Sequence, residues 1–473
     1  MRFSVVILSI YTLLLIINFF YSDPLISFLF ILFVTTMNFY FLKTNIVFLF
    51  LYFPMRPLIV ELNPTLLWLG DLIIILSSLI MIWKNKSRFT KILLELKPFF
   101  YFGGVFLLGA IIALINEVRP VAVVTQLRSL GLLLLMVFLF LTIKWERIEQ
   151  MYLLVTSIIV GMILSLHGII EKTFHRTMLV PNAWTNWKLS DVNTDRVYGM
   201  VGNPNVLAMY LLFIFFLTFA FEHYATKPNK VLLYISRTVI LGTALLTYSR
   251  GAFLAYLLGL IVYIIVSKNW KFLVRVLLVG VISIVMIYYP TNMIADQSAS
   301  TDSKEEVSYE PEHSPNNKSF LERIRSAIDE ETISDSTEWG RIYIILKGIE
   351  IFKDHPLTGV GLATFGDAAT LKYSSPIYEK YGIPEKVYAD NQYIYLLVST
   401  GVIGYFLLIW FIVSLTKKLI LTLPRLYVNV FISSTIVLLI SSLFYNTLED
   451  KTFMIFYYSL LGFLIQLGAD HDW

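Results

Sequence analysis

The feature that most constrains the fold of this chain is a long series of apolar segments, most of them close to 20 residues in length. A helix that crosses the hydrocarbon core of a bilayer needs about 20 apolar residues, so the segments predict membrane-spanning helices. Hydrophobic residues make up 57% of the chain and charged residues 15%, which leaves too little polar surface for a water-soluble fold. We therefore predict an all-α polytopic integral membrane protein with about 12–14 spans.

The predicted spans differ in how clearly they are bounded. The third is short and interrupted by Pro54, Arg56 and Pro57, which leaves a re-entrant segment as an alternative. The first lacks the small residues of a cleavage site, so we expect it to be retained as a span. The segments lie at residues 3–20, 24–42, 45–60, 64–83, 98–116, 124–143, 151–170, 203–222, 231–248, 251–267, 271–290, 391–415, 427–446 and 450–468.

Lysine and arginine concentrate in alternate short loops, which predicts the orientation of the chain. These loops lie on one face if fourteen spans alternate, and the positive-inside rule makes that face cytoplasmic, with both termini inside. The basic residues are Lys84, Lys86, Arg88, Lys91, Lys97, Lys144, Arg147, Lys227, Lys230, Lys268, Lys271, Lys417, Lys418 and Arg425.

The opposite face is predicted to carry a medium loop at 171–200 and a long loop at 291–390. Residues 296–319 are acidic and polar, which predicts disorder. Residues 339–352 have helical spacing and end at Asp354-His355-Pro356, a helix stop. The chain then divides into N-terminal spans with the medium loop (1–195), a second group of spans (196–290), the long loop (291–390) and C-terminal spans (391–473).

Six arginines are unusual because they fall at or near the predicted outer boundary. A guanidinium group has a planar donor fork suited to phosphate oxygens, so the arginines could converge on an anionic lipid headgroup such as a polyprenyl pyrophosphate. The alternative is that each one extends to the interface or pairs with a carboxylate such as Glu61, Glu117 or Asp195. The six are Arg56, Arg119, Arg128, Arg196, Arg250 and Arg341.

Three passages together carry a resemblance to a known family. The first runs from Arg196 to Ala208 and contains Asn203-Pro204-Asn205; the second is Ser249-Arg250-Gly251-Ala252. The third runs from Arg341 through Asp354-His355-Pro356 to Asp390-Asn391 and Gly401. In order, spacing and membrane placement, these passages resemble the O-antigen ligase/polymerase family of membrane glycosyltransferases, over roughly residues 196–405.

The resemblance implies glycan transfer from a polyprenyl-pyrophosphate donor at the outer face of a bacterial plasma membrane. Ligases of the family are expected to carry His followed by Asn, Ser or Gln, then nine residues and Gly. This chain has Asp390 in place of that His, then Asn391 and Gly401. The departure favours a polymerase that joins lipid-linked repeat units into a surface polysaccharide such as a capsule, an exopolysaccharide or teichuronic acid.

Three other functions stay open. A ligase would attach finished glycan to an acceptor, a transporter would move glycans or anions, and an assembly partner would have no catalytic role. A transporter would show ionisable residues near the middle of its spans, where Asp71 is the main example in this chain. The resemblance brings a chain-length regulator and a flippase as candidate partners, beside lipid-linked glycan and membrane lipid. Nothing in the sequence indicates a nucleic-acid partner.

The resemblance and the charges together assign expected roles. Arg250 and Arg341 should stabilise the departing pyrophosphate, and Asp390 should be the base that takes a proton from the acceptor hydroxyl. The alternative for Asp390 is an N-cap of the span that follows. Further substrate contacts are expected from Arg128, Arg196, Asn203, Asn205, His355 and Asn391, with turn formation as the alternative for His355 and helix capping for Asn203 and Asn205. We expect no cofactor and no metal: no DxD-like pair is placed to hold one, and the chain has no cysteine.

Overall fold

The computed structural model describes residues 2–302, 340–385 and 387–469, and within these ranges all regular structure is helical, as predicted. Short 3-10 turns lie at Pro64–Trp68, Lys86–Arg88 and Gly199–Val201. The helices before the second group of spans are α1 (Arg2–Phe20), α2 (Pro24–Met37), α3 (Leu42–Leu62), α4 (Leu69–Lys84), α5 (Phe89–Glu95), α6 (Lys97–Ile115), α7 (Pro120–Thr142), α8 (Arg147–Thr173), α9 (Asn182–Thr185) and α10 (Asp191–Thr194).

The second half of the chain continues the helical pattern. A π-helical turn at Ile284–Tyr288 joins α14 to α15, and a 3-10 turn at Thr447–Glu449 precedes the last helix. The helices are α11 (Pro204–Tyr224), α12 (Lys230–Leu246), α13 (Arg250–Ser267), α14 (Trp270–Ser283), α15 (Tyr289–Asp302), α16 (Arg341–Asp354), α17 (Ala368–Tyr373), α18 (Tyr378–Tyr381), α19 (Gln392–Thr422), α20 (Arg425–Ser441) and α21 (Lys451–Ala469).

Each predicted apolar segment coincides with a helix in the described part of the chain. Ten helices in these ranges are long and apolar enough to cross a membrane, so the protein is a multi-pass membrane protein. Three further apolar helices are shorter, at Ser4–Phe20, Pro24–Met37 and Arg425–Ser441. The remaining predicted span corresponds to α12, which has 17 residues. The difference from the predicted number of spans therefore lies in helix length and not in the placement of the segments.

Two predictions of local structure differ from what the structure shows. The third span is a continuous 21-residue helix, with Pro54 and Pro57 inside it, and so is not broken as a re-entrant segment would be. Neighbouring helices allow a membrane helix to accommodate proline in this way. Residues 296–302, predicted to be disordered, form the end of α15, whereas 303–319 lie outside the described residues. Trp339 also lies outside them, but the predicted helix after it is α16 and ends at Asp354 as expected.

Contacts at one end of the bundle show that the helices alternate in direction. Lys43 at the start of α3 pairs with Glu149 at the start of α8, Nζ to Oε2 2.7 Å. Gln466 near the end of α21 donates to the carbonyl of Ile143, directly after α7, at 2.8 Å. Asn63, after α3, donates at 3.1 Å to the carbonyl of Asn18 near the end of α1, which lies at the opposite end. That opposite end carries residues 174–203, 355–385 and 387–391 and is called the loop end below.

The chain that follows α16 is fixed to the bundle by backbone hydrogen bonds at a break in α19. Gly401 interrupts α19 with a φ of 59°, a conformation that favours glycine. Beside the break, the amide of Val360 donates to the carbonyl of Val398 at 2.8 Å. A Cβ atom at Gly359 would lie 2.3 Å from that same carbonyl oxygen, so only glycine fits here. These bonds attach the chain between α16 and α19 to the bundle, and that stretch ends at Asp390, which is predicted to be the base.

Candidate functional site

Four helices begin close to one another at the loop end: α11, α13, α16 and α19. Side-chain hydrogen bonds link the first turn of α11 to the residue before α13, and an ion pair links Arg341, the first residue of α16, to Asp390 before α19. The amino end of a helix carries a partial positive charge and unpaired amide protons. The loop end therefore favours an anion before any side-chain charge is counted.

Arg196 connects the first two of these helices. Its Nε donates to the carbonyl of Thr247 at 2.9 Å, and its Nη2 donates to Oδ1 of Asn205 at 2.7 Å. The same Asn205 oxygen accepts the hydroxyl proton of Ser249 at 2.9 Å, one residue before Arg250. Asn205 thus joins the two motifs that the sequence analysis singled out, and its role is to hold Arg196 and the Ser249–Arg250 turn together.

Arg341 and Asp390 connect the other two helices. Nε of Arg341 lies 3.7 Å from Oδ2 of Asp390, and the two side chains are 48% and 42% exposed. Because the pair is nearly half exposed, it contributes little to folding. Both groups are instead accessible to a ligand.

The electrostatics show that the two pairs form one group, the loop-end site, made of Arg196, Asn205, Arg250, Arg341 and Asp390. Burial lowers the pKa of Arg196 to about 10, and the charges of Arg341 and Arg250 add to that effect while Asp390 opposes it. The pKa of Asp390 is raised by burial, and Arg341 and Arg196 act in the opposite direction. Three guanidinium groups and one carboxylate carry a net positive charge, which suits a multiply charged anion.

Two asparagines predicted to contact substrate have structural roles here. Oδ1 of Asn203 accepts the amide protons of Asn205 and Val206 at 2.9 and 3.2 Å, which caps α11. Asn391 caps α19 in the same way, with Oδ1 3.0 Å from the amides of Tyr393 and Ile394. The cap of α19 is therefore Asn391, and the alternative of a capping role for Asp390 is wrong.

Two other predicted substrate contacts lie away from the loop-end site. Arg128 forms an ion pair with Asp71, and its guanidinium lies 4.4 Å from the ring centroid of Trp68. His355 is the C-cap of α16, 14 residues after Arg341. At a rise of 1.5 Å per residue the two ends of that helix are about 20 Å apart. Neither residue joins the three arginines, so contact of Arg128 and His355 with substrate stays a prediction.

The carboxylate of Glu171, which the sequence analysis did not single out, holds the loop segment that contains Arg196. Glu171, in the last turn of α8, is 1% exposed and accepts the amide protons of Tyr198 and Gly199 at 3.2 and 2.6 Å. An acidic residue so close to the end of an apolar segment was a signal that it had a partner. Its partners are the two backbone amides and Arg176, whose Nε lies 3.8 Å from Oε1, and no sequence pattern identifies the backbone contacts. Glu171 is a positioning residue for Arg196.

Glu171→Gln should lower glycan transfer about tenfold, because an amide can accept from the loop backbone but loses the charge-assisted bond, worth about 1.5 kcal/mol. The measurement is the rate at saturating and at limiting lipid-linked substrate. Because Glu171 would act through Arg196, which we predict to contact substrate, the loss should appear in both kcat and KM. The exposed Glu117→Gln is the matched control and should be neutral. A Glu171 variant with an unchanged rate would show that the loop is held by other contacts.

The comparison with known families agrees with this geometry. Residues 238–409 match the family model described as O-antigen ligase. This part of the chain is similar to the O-antigen ligase family. No curated protein matches the chain. The resemblance to the O-antigen ligase/polymerase family expected from the sequence is therefore confirmed, although the match begins at 238 and not at 196.

The matched region contains part of the loop-end site. Arg250, Arg341 and Asp390 lie within it, whereas Arg196, Asn205 and Glu171 precede it and are joined to it by the hydrogen bonds described above. The family supports glycan transfer by a multi-pass membrane protein that acts on lipid-linked glycan. It does not separate ligases from polymerases.

Proposed function

We propose that this protein polymerises polyprenyl-pyrophosphate-linked oligosaccharide repeat units into a cell-surface polysaccharide, without a metal, at the outer face of a bacterial plasma membrane. The observation that carries the proposal is the loop-end site itself, where Arg341 pairs with Asp390 and Arg196 lies within electrostatic range of Arg250, Arg341 and Asp390. The proposal places the loop end outside and both termini in the cytoplasm, in accord with the basic loops at the other end.

In the proposed reaction, a sugar hydroxyl of one lipid-linked repeat attacks the anomeric carbon of the glycan carried by the other lipid. A new glycosidic carbon–oxygen bond forms, and the bond between that carbon and the pyrophosphate oxygen breaks. The electron pair leaves with polyprenyl pyrophosphate, and the hydroxyl proton passes to Asp390. Atoms and charges balance without a further reactant.

The arginines supply the largest expected effect on the rate. Negative charge grows on the departing pyrophosphate in the transition state, and donors already in place stabilise it without reorganisation. Arg196 is fixed for this role by Thr247 and Asn205. Arg341 has a second effect, since its charge lies beside Asp390 and favours the ionised carboxylate that a base requires. Both effects depend on the arginines and Asp390 being close together.

Asp390 favours the polymerase over the ligase, because it occupies the position at which a ligase of this family is expected to have His. A ligase is the second candidate, and the matching family model is described as O-antigen ligase. The two differ in the acceptor. A polymerase transfers glycan to another lipid-linked repeat unit, whereas a ligase transfers it to a different kind of acceptor molecule.

The test is incubation of the purified full-length protein with lipid-linked repeat units, without nucleotide or metal. A ladder of lipid-linked products of increasing length is the expected result. If the units remain unchanged but preformed lipid-linked polymer is transferred to a separate acceptor, the protein is a ligase. Reaction in neither assay would refute glycan transfer at this site.

A further inference from the structure

A second group of charges lies toward the loop end among helices that precede or follow the matched domain. It consists of Arg56 on α3, Asp71 on α4, Arg128 on α7 and Lys451 on α21, and is called the second cluster below. Asp71 is only 2% exposed, and it accepts from both Arg128 and Lys451, the latter with Nζ at 3.3 Å from Oδ1. Ionisable groups within apolar segments are costly, so such a group calls for a function.

The second cluster contains more positive than negative charge. Arg56 and Arg128 both lie close enough to repel the ammonium group of Lys451, while Asp71 is the carboxylate that pairs with it. Three cations thus face one anion. Lys451 is 11% exposed, so water screens this repulsion weakly. An additional anion would relieve it.

The carboxylates nearest in sequence to Lys451 are engaged elsewhere. Glu449 accepts the amide proton of Ala368 at 2.8 Å and the side-chain amide proton of Asn446 at 2.5 Å. Asp450 caps α21, with Oδ1 2.7 and 3.2 Å from the amides of Thr452 and Phe453. They make these bonds at the start of α21 instead of neutralising the second cluster.

Donors remain available on the arginines, and the cluster is open on one side. Among the described residues, Nε of Arg56 is buried and has no hydrogen-bond partner, although Nη2 of the same residue donates to the carbonyl of Leu67 at 3.3 Å. Arg128 is 23% exposed, and Trp68, on which it stacks, is 50% exposed. An exposed tryptophan at the end of a membrane helix is typical of the headgroup level of a bilayer. The opening is therefore at a depth where a lipid phosphate lies.

We infer that Arg56, Arg128 and Lys451 form a second anion site, which binds the phosphate or diphosphate group of a lipid. The inference rests on the proposed polymerase function and adds a substrate site to it. A polymerase has two lipid-linked reactants, and only the donor loses its pyrophosphate. The acceptor keeps its own pyrophosphate, which is separated from the reacting hydroxyl by the length of an oligosaccharide. This second pyrophosphate therefore needs a binding site of its own. Asp71 sets the geometry of two of the cations and limits the excess charge while the site is empty.

The experiment measures binding to the full-length protein in detergent with three probes: farnesyl diphosphate, inorganic pyrophosphate and farnesol. The wild type should bind two molecules of farnesyl diphosphate per chain and no farnesol. Lys451→Met should weaken one of the two binding events about 10- to 100-fold, because one charge-assisted contact is lost. The control Lys188→Met removes an exposed cation from residues 174–203 and should leave both unchanged. Thermal unfolding of each variant reports on folding.

A second variant is expected to strengthen the binding of farnesyl diphosphate instead of weakening it. Asp71→Asn removes the anion that competes for the cations, so farnesyl diphosphate should bind severalfold more tightly at this site. A purely structural cluster would give weaker binding or none in both variants. Equal binding by wild type and Lys451→Met would overturn the inference. Pyrophosphate that binds as tightly as farnesyl diphosphate would identify a free anion as the ligand of the same site, and a clear preference for farnesyl diphosphate would identify a lipid.

Failure of the inference is distinguishable from failure of the proposed function. Arg341→Met should abolish the other binding event and leave the one that depends on Lys451. Binding of a single farnesyl diphosphate that is lost in Arg341→Met and retained in Lys451→Met would refute the second site and leave the polymerase proposal intact. Two intact binding events in a protein that forms no ladder would instead refute the polymerase.

Discussion

Arg250→Ala and Arg341→Ala should each lower the rate of chain extension by about 10²–10³-fold, the usual loss when one donor to a developing negative charge is removed. Both residues start a helix at the loop-end site, and both lie within electrostatic range of Arg196. Either change therefore removes a positive charge from the place where we propose that pyrophosphate departs. The measurement is the single-turnover rate with lipid-linked repeat units, with the ladder in cells as a second readout.

The controls separate charge from folding. Arg119→Ala removes an exposed arginine at the start of α7 and should be neutral. Arg341→Lys keeps the charge but loses the planar donor fork, so it should recover part of the rate and not all of it. Normal polymer length in both alanine variants, with the protein present in the membrane, would refute the assignment of pyrophosphate to these arginines.

The fold was predictable because lipid imposes a strict rule on sequence. A helix that satisfies its own backbone polar groups needs an apolar run of about 20 residues, and such runs are visible without knowledge of tertiary contacts. One helix end was also readable: Asn203 before Pro204 caps α11, which was the alternative offered for it. The cap of α19 was not, because capping was offered for Asp390 and the cap is Asn391. The continuity of α3 through Pro54 and Pro57 was not predictable, because it depends on how the surrounding helices pack.

The candidate site was only partly predictable, for a similar reason. Arg250, Arg341 and Asp390 stood out because charges at the outer boundary of an apolar chain are rare. The partner of Arg128 did not stand out, because Asp71 is 57 residues away in sequence. Lys451, which also pairs with Asp71, is 380 residues from it. Local reasoning offered Glu61, Glu117 and Asp195 as partners for the arginines, and none of them pairs with Arg128 in the structure. Contacts of this kind are decided by packing.

Asp390→Asn should lower the rate of chain extension by about 10²–10⁴-fold, the range expected when a general base is removed. The asparagine keeps the size of the side chain and cannot take the proton. The structure supports this expectation because Asp390 is not used as a helix cap, and its carboxylate lies 3.7 Å from Arg341 where substrate can reach it. Asp354→Asn changes an exposed carboxylate at the other end of α16 and is the matched control. An Asp390→Asn protein of normal activity would transfer the role of base to another group.

The pH dependence gives an independent test of the same residue. A base works when it is deprotonated, so activity should fall as the pH drops through the pKa of Asp390. Burial raises that pKa above 3.8, and the charge of Arg196 lowers it again. Arg196→Gln should therefore shift the acid side of the kcat/KM profile to higher pH, whereas removal of an arginine that only binds pyrophosphate would change the height of the profile and not its position. If the acid side of the kcat/KM profile does not move in Arg196→Gln and is still present in Asp390→Asn, a group other than Asp390 titrates in that pH range.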